Sequence, residues 1–223
     1  TYNDVNFLAE KMLSTFMEDQ VIRGPLKLSF NISSMGSDWD SVVNNMNGTI
    51  NLSGNNLLLN GFDADEIIND FKRSQNFNLV DLGAVLLAGP VGIAVTKGSD
   101  FARLLVFNSG KSTNTNELVS NWTVRNGTFE IQDAAFTTKL NRIALTGLIG
   151  FANKNIDLTI ALLNEYGCSV FSQQVYGNLD DPTLGKVKVV GTVLAPVTNL
   201  VDDVTGKDCV VFYQGTVKHP KTK

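Results

Sequence analysis

The chain has 223 residues, of which 43% are hydrophobic, and a formal charge of −4 with a pI near 5.0. Such a chain is long enough for one large β-rich domain or two small ones with a buried core. Its 18 basic residues are scattered along the sequence, which argues against nucleic-acid binding because phosphate neutralisation needs clustered Lys and Arg.

The first segments combine one helical pattern with several alternating ones. Apolar residues recur at helical spacing from 5 to 17, which predicts an amphipathic leading helix within residues 1–20. Apolar and polar residues then alternate over 25–32, and two further apolar runs flank a turn signal at 53–56. Residues 21–61 are therefore predicted to form strands, including a hairpin about that turn signal.

Residues 62–107 are predicted to be a helical insert. Asp63 can cap a helix over residues 64–73. The following segment is the most hydrophobic of the chain, but glycines and Pro90 interrupt it before it reaches the roughly 18 residues of a membrane span. Two short helices meeting at Gly89 and Pro90 fit this pattern. They are either buried in the core, or cover one end of a groove or touch a membrane surface.

From residue 118 to 217 the sequence is dominated by a period of two, which predicts an antiparallel meander of long hairpins. Turn residues at 125–127 and 153–155 separate the alternating runs, and a last strand is expected over 210–217. The apolar positions expected to share one face of this sheet are Phe129, Ile131, Ile143, Leu145, Ile149, Phe151, Ile156, Leu158, Ile160 and Leu162.

These elements predict an α+β fold in a single domain over residues 1–223. Its centre is a mainly antiparallel, strongly curved β-sheet, with several amphipathic helices packed on one face or end. The apolar face of the sheet has two interpretations. Either it contacts a lipid, or it is an ordinary core that the helices predicted at 5–17 and 64–95 cover.

Cys168 and Cys209 are the two cysteines of the chain. Both precede apparent strands, which makes a disulfide between them plausible. The bond would close a loop of about 40 residues, stabilise the fold by roughly 4 kcal/mol and indicate an oxidising compartment. Two unrelated buried thiols are the alternative interpretation.

No motif of the sequence indicates catalysis. His219 is the single histidine and lies near the end of the chain, where a frayed tail could not hold a catalytic triad. No nucleophile elbow, P-loop, HExxH or dinucleotide-binding fingerprint occurs. The acidic clusters lie in or beside turns, and the nearest approach to a calcium loop, residues 201–208, fits capping and solvated turns better. We therefore expect no enzyme, no cofactor and no metal site.

Three stretches together resemble the C-terminal region of the AsmA family of Gram-negative envelope proteins. They are a hairpin and helix, NGTINLSGNNLLLNGFDADEII; an Ala-Gly-Pro segment, LLAGPVGIAVTKGSDFA; and a strand-rich core, LVSNWTVRNGTFEIQDAAFTTKLNRIALTGLIGFANKNIDLTIAL, with a closing Gly-x-x-x-x-Pro element at 177–182. The resemblance covers most of the chain. It implies a periplasmic domain of a protein that an N-terminal helix anchors in the inner membrane; relatives with long β-grooves are thought to carry phospholipid towards the outer membrane. The chain as it stands holds neither that anchor nor most of a long groove, and we expect it to be a fragment.

The sequence and this resemblance together predict a non-enzymatic periplasmic domain that handles phospholipid on its apolar sheet face, in outer-membrane biogenesis or lipid homeostasis. Acyl chains would occupy the face while phosphate groups stay in water at its rim. Envelope or outer-membrane assembly proteins are further candidate partners, and nucleic acid is not expected. The alternative prediction is a protein-interaction or scaffold module for outer-membrane protein assembly that binds through an exposed strand edge.

Overall fold

The computed structural model describes residues 2–8, 22–60, 63–66, 68–69, 112–189 and 209–222. Within these ranges the chain forms eleven β-strands and a six-residue helix, α1 (Trp39–Asn44), besides helical residues at 64–66 and 68–69. The strands are β1 (Tyr2–Leu8), β2 (Ile22–Arg23), β3 (Pro25–Ser33), β4 (Asn47–Asn60), β5 (Ser112–Arg125), β6 (Thr128–Thr137), β7 (Arg142–Gly150), β8 (Asn155–Leu163), β9 (Ser169–Asn178), β10 (Asp181–Leu184) and β11 (Lys188–Val189).

These strands join one sheet whose order follows the order of the chain from β3 to β10. β1 pairs with β3 at one edge, while β2 pairs with β4 and β11 pairs with β9. Every pairing is antiparallel. The antiparallel sheet predicted from the period of two is therefore confirmed.

The prediction of an α+β fold with several amphipathic helices is wrong, because the described residues are mostly antiparallel β-sheet. The predicted leading helix begins over residues that form β1, where Val5 pairs with Leu28 of β3. A short apolar pattern fits both periods, and β3 supplies the hydrogen-bonding partner that favours the strand. The rest of the predicted leading helix, residues 9–17, lies outside the described residues.

The helical insert predicted at 62–107 lies largely outside the described residues, and so do the two helices predicted to meet at Gly89 and Pro90. Its start is described. Residues 64–66 and 68–69 are helical, and the Glu66 amide donates a hydrogen bond of 3.0 Å to the Asp63 carboxylate. The predicted helix cap at Asp63 is confirmed.

The hairpin predicted about residues 53–56 is instead a single 14-residue strand, β4, which pairs with β5. Asn56 has a positive φ of 52°, and a Cβ on Gly54 would lie 2.8 Å from Leu26 Cδ2. The residues that signal a turn therefore accommodate a crowded, irregular point within one strand.

Side-chain alternation gives the sheet two different faces. The inner face carries a hydrophobic cluster that extends from β2 to β9 and includes the large buried side chains Trp122, Phe136 and Phe171. The outer face carries exposed polar residues such as Glu130 and Gln132, and a second, smaller apolar cluster. The main core of the described residues therefore lies on the inner face.

Residues 209–222 form a C-terminal strap that packs on the outer face. The strand predicted over 210–217 is wrong: the strap makes an isolated β-bridge between Val211 and Cys168 and is otherwise irregular. The tail is not frayed at His219 either, because Tyr213, Val217 and His219 are all buried.

Candidate functional site

All ten residues predicted to share an apolar face do lie together on the inner face. Ile131 and Phe151 are half-buried. The other eight are at most 7% exposed: Phe129, Ile143, Leu145, Ile149, Ile156, Leu158, Ile160 and Leu162. Most of the predicted surface is therefore packed as a core, and its contact with lipid stays a prediction.

The β7–β8 hairpin is the most regular part of this face. Ile143 pairs with Leu162, and Ile149 pairs with Ile156, so apolar side chains oppose one another along both strands. Between them Gly147, with a φ of +120°, lies so close to the neighbouring strand that a Cβ would be 2.0 Å from the Asp157 carbonyl oxygen. The hairpin predicted from alternation is confirmed, and glycine is required at one point of its close approach.

The ten predicted residues are only part of the inner face. This face also includes another residue of β6 and residues of strands outside the predicted set. Phe136 is an example: the register of β6 against β5 shifts after Asn121, which pairs with Asp133, while Trp122 pairs with Ile131. A β-bulge of this kind changes the phase of alternation, so counting every second residue from Phe129 misses Phe136. Further buried members missed in this way or on other strands are Leu52, Leu57, Leu59, Leu118, Val170, Phe171 and Val175.

Four chain connections meet at one end of the sheet, which we call the turn end: residues 34–46, 126–127, 151–154 and 179–180. Backbone hydrogen bonds join them. The Gly127 amide donates to the Met46 carbonyl (3.1 Å), the Phe151 amide to the Gly127 carbonyl (3.0 Å) and the Leu179 amide to the Lys154 carbonyl (2.8 Å). The turn end is therefore a connected surface.

Helix α1 lies within the first of these connections, and its start is fixed by its cap. Asp38 accepts a hydrogen bond of 2.7 Å from the Ser41 amide, and the Asp38 amide donates one of 3.1 Å to the Ser41 hydroxyl. These reciprocal bonds form a capping box, and the hydrogen bond from the Ser41 amide is the main cause that lowers the pKa of Asp38. The cap thereby defines the position of Trp39 at the first helical residue.

The inner face is less completely covered towards the turn end. Five of the seven partly buried residues that pack against its cluster lie there: Phe30, Ile32, Met46, Ile131 and Phe151. In the connection 34–46 at the same end, Met35 and Trp39 are 82% and 75% exposed. At the opposite end, Leu59, Phe136 and Ile143 are fully buried. Apolar surface therefore reaches solvent at the turn end.

Comparison of the chain with protein-family models, curated proteins and solved structures finds no match. The resemblance to the AsmA family accordingly stays a prediction.

Two pairs of charged side chains also lie at the turn end. Lys154 forms an ion pair of 2.8 Å with Asp180, whose hydrogen bond raises the pKa of Lys154. Arg125 approaches Glu130 at 3.4 Å, and all four side chains are more than half exposed. Such exposed pairs contribute little to stability, so their main effect is to give the turn end a polar rim, which the Arg125–Glu130 pair supplies on the side of the outer face.

The part of the chain that the structure describes contains no group of three or more His, Cys, Asp or Glu side chains suited to a metal ion. Residues 201–208, the nearest approach to a calcium loop, are not among the residues described. None of the described helices is long and apolar enough to cross a membrane.

The predicted disulfide is confirmed. Cys168 and Cys209 are bonded, with a Cα–Cα distance of 6.1 Å and a sequence separation of 41 residues. Cys168, immediately before β9, is 1% exposed, and the bond joins the strap to the sheet. A structural disulfide is compatible with an oxidising compartment.

Proposed function

We propose that this domain handles phospholipid without catalysis and that it binds acyl chains at the turn end of its inner face. The observation that carries the proposal is a continuous apolar face whose partly exposed members lie together at one end of the sheet. An acyl chain that contacts them gains about 0.8 kcal/mol for each CH₂ group removed from water. The acyl chains bind to an apolar surface of the domain, so no reactive side chain is needed.

The polar rim supports the same proposal. Lys154, in the connection 151–154, and Arg125, at the end of β5, are both more than half exposed at the turn end. A phosphate group can stay hydrated beside such cations while its acyl chains contact Ile131 and Phe151. This separation of headgroup from acyl chain is what an amphipathic ligand requires.

We also propose that the domain acts in the periplasm. The disulfide supports an oxidising environment, and the family resemblance narrows this to the periplasm, with the domain as the soluble part of an inner-membrane-anchored protein. Its role there is in outer-membrane biogenesis or lipid homeostasis.

The test is to extract lipid from the purified oxidised protein and to measure transfer of a fluorescent phospholipid from vesicles. We expect Ile131→Asn, which places an amide at the half-buried turn end of the inner face, to lower lipid recovery severalfold. Leu148→Asn is the matched control, because Leu148 is also half-buried but lies on the outer face, opposite Glu130 and Asp157. Absence of lipid from the wild-type protein, or equal loss in both variants, contradicts the proposal.

A second candidate function, a protein-interaction module, is favoured by the exposure of Met35 and Trp39. Trp is a frequent energetic centre of protein interfaces. The described strand edge at β10 and β11 is a poorer docking site, because Pro182, Lys186 and Lys188 oppose addition of a further strand. Trp39→Ser separates the candidates: loss of an envelope protein partner with unchanged lipid recovery supports the interaction module.

A further inference from the structure

The C-terminal strap lies on a row of small residues that crosses the outer face. The strand register aligns Val119 with Ala135, Ala135 with Ala144, and Ala144 with Ala161. All four are buried and form one cluster with Tyr213 and Val217 of the strap. Short side chains allow the strap to approach the strands closely. We call these four positions the alanine row.

The first half of the strap is attached covalently. Besides the disulfide at Cys209, the amides of Phe212 and Tyr213 both donate to the Gly167 carbonyl, at 2.9 and 3.0 Å. Gly167 has a φ of +86°, and a Cβ there would lie 2.3 Å from the Tyr213 carbonyl oxygen. This half is therefore fixed at a short, tightly packed contact.

The second half of the strap is attached without a covalent bond, by the packing of Val217 on the alanine row and by polar contacts. Asp133 accepts hydrogen bonds from the Tyr213 hydroxyl (2.6 Å), the Thr216 amide (3.0 Å) and the Thr216 hydroxyl (2.7 Å). Arg142 donates to the Val217 carbonyl at 3.0 Å. These contacts, unlike a disulfide, depend on the charges of the groups that make them.

His219 ends this second half in a buried position, 6% exposed. Its Nδ1 accepts a hydrogen bond of 3.2 Å from the Lys221 amide, which requires that nitrogen to be unprotonated. Two cations act on it, Arg142 from β7 and Lys221 from the strap itself, against one acid, Glu165 of the β8–β9 turn. Burial, and then Arg142 and Lys221, lower the pKa of His219.

We propose that the second half of the strap is an acid-sensitive contact: proton uptake by His219 releases residues 214–222 from the outer face, while the disulfide keeps the strap attached. An imidazolium cannot accept the Lys221 amide, and it would lie beside the buried cation of Arg142. Release uncovers the alanine row, so that acid exposes a second apolar surface, opposite the inner face.

The sign of the effect follows from the two states of His219. Docked, it stays neutral below the usual pKa of 6.5; released, it titrates near that value. The released state therefore binds the extra proton, and docking is fully present above about pH 6.5. Below this pH the release constant rises by up to about tenfold per pH unit, until the pKa of the docked state is reached.

The experiment measures hydrogen exchange of the oxidised protein between pH 7.5 and 5, corrected for intrinsic rates. We expect protection of the strap beyond Tyr213 to fall by up to about tenfold per pH unit below 6.5, while β7 and β8 stay unchanged. His219→Gln, whose side-chain oxygen can still accept the Lys221 amide, should remove this pH dependence. Asp133→Asn should weaken docking at every pH but leave the dependence in place.

A direct titration of His219 in the wild-type protein tests the proposal even if the strap of a variant fails to dock. Because His219 is the single histidine, its imidazole NMR signal reports its pKa in the wild-type protein without ambiguity. A midpoint below 6.5, together with the loss of strap protection, supports the proposal. A midpoint at about 6.5, or a pH dependence that persists in a docked His219→Gln variant, overturns it.

Discussion

Arg142 is the residue on which several contacts of the outer face converge. It is 6% exposed and donates hydrogen bonds of 3.0 Å to two backbone carbonyls, those of Val217 and Asn164. Its guanidinium carbon lies 5.4 Å from the centre of the Tyr213 ring. Burial lowers the pKa of Arg142, so a cation here is tolerated because hydrogen bonds and the aromatic ring replace part of its hydration.

Tyr213→Phe tests the hydroxyl that joins the strap to the sheet. This hydroxyl donates to Asp133 and accepts from the Val217 amide at 3.1 Å. Its loss leaves the buried Val217 amide without this acceptor and removes one donor from Asp133, and we expect the free energy of unfolding to fall by about 1–3 kcal/mol in urea denaturation. Tyr166→Phe is the control, because Tyr166 is 56% exposed. Equal effects of the two substitutions would contradict this role of Tyr213.

The same hydroxyl predicts an alkaline limit. Burial, and then the hydrogen bond with Asp133, raise the pKa of Tyr213 far above its usual value of 10. The folded state therefore retains a proton that the unfolded state loses, so this stability is complete below about pH 10 and declines as the pH rises further. We expect the wild-type protein to lose more stability than Tyr213→Phe between pH 9 and 11. Parallel pH profiles of the two proteins are the contrary result.

At the level of a strand, two glycines on either side of β8, one in β7 and one in β9, separate the effect of close approach from that of backbone strain. Gly147 and Gly177 both have positive φ, +120° and +103°. A Cβ on Gly147 would lie 2.0 Å from the Asp157 carbonyl, whereas on Gly177 its nearest contact would be 3.8 Å away, at the Thr183 hydroxyl. The hairpin β7–β8 therefore tolerates no side chain at residue 147.

We expect Gly147→Ala to lower the free energy of unfolding by about 3 kcal/mol or more, since backbone strain and a clash add. Gly177→Ala should cost roughly 1–2 kcal/mol, the strain alone. Chemical denaturation of both variants measures the difference. An equal loss of unfolding free energy in the two variants would show that β8 moves away from residue 147 at little cost.

The sequence predicts which residues of a strand face the core only where apolar and polar residues alternate along the strand without a bulge. β7 and β8 alternate without interruption, so their apolar residues and their pairing were predicted correctly. β6 carries a bulge that moves Phe136 onto the inner face, and β4 keeps one direction through residues that usually turn a chain. In both cases the neighbouring strand determines the outcome, and its register is a tertiary property that a local pattern does not contain.

For the whole molecule, the sequence predicted an apolar face but not its degree of coverage or the second face. The outer face depends on contacts between distant residues, such as Thr216 with Asp133, 83 positions apart. The alanine row also carries no signal of its own, because alanine fits helices and cores equally well. It becomes recognisable only when the register aligns three alanines beneath the strap.

The disulfide and the Asp133 contacts act on the same strap, which predicts that their effects are not additive. Reduction removes a covalent link across 41 residues, worth at most about 4 kcal/mol on the chain-entropy model. While the link is intact, the strap stays near the alanine row even when Tyr213→Phe weakens its docking. Once the link is reduced, only the polar contacts and the packing of Tyr213 and Val217 on the alanine row oppose release, so the same substitution should free the strap far more completely. Hydrogen exchange of residues 209–222 in the four combinations of reduction and substitution measures this coupling. Additive loss of protection would mean that the two halves of the strap dock independently, and a strap that stays protected after both changes would place its stability in the alanine row itself.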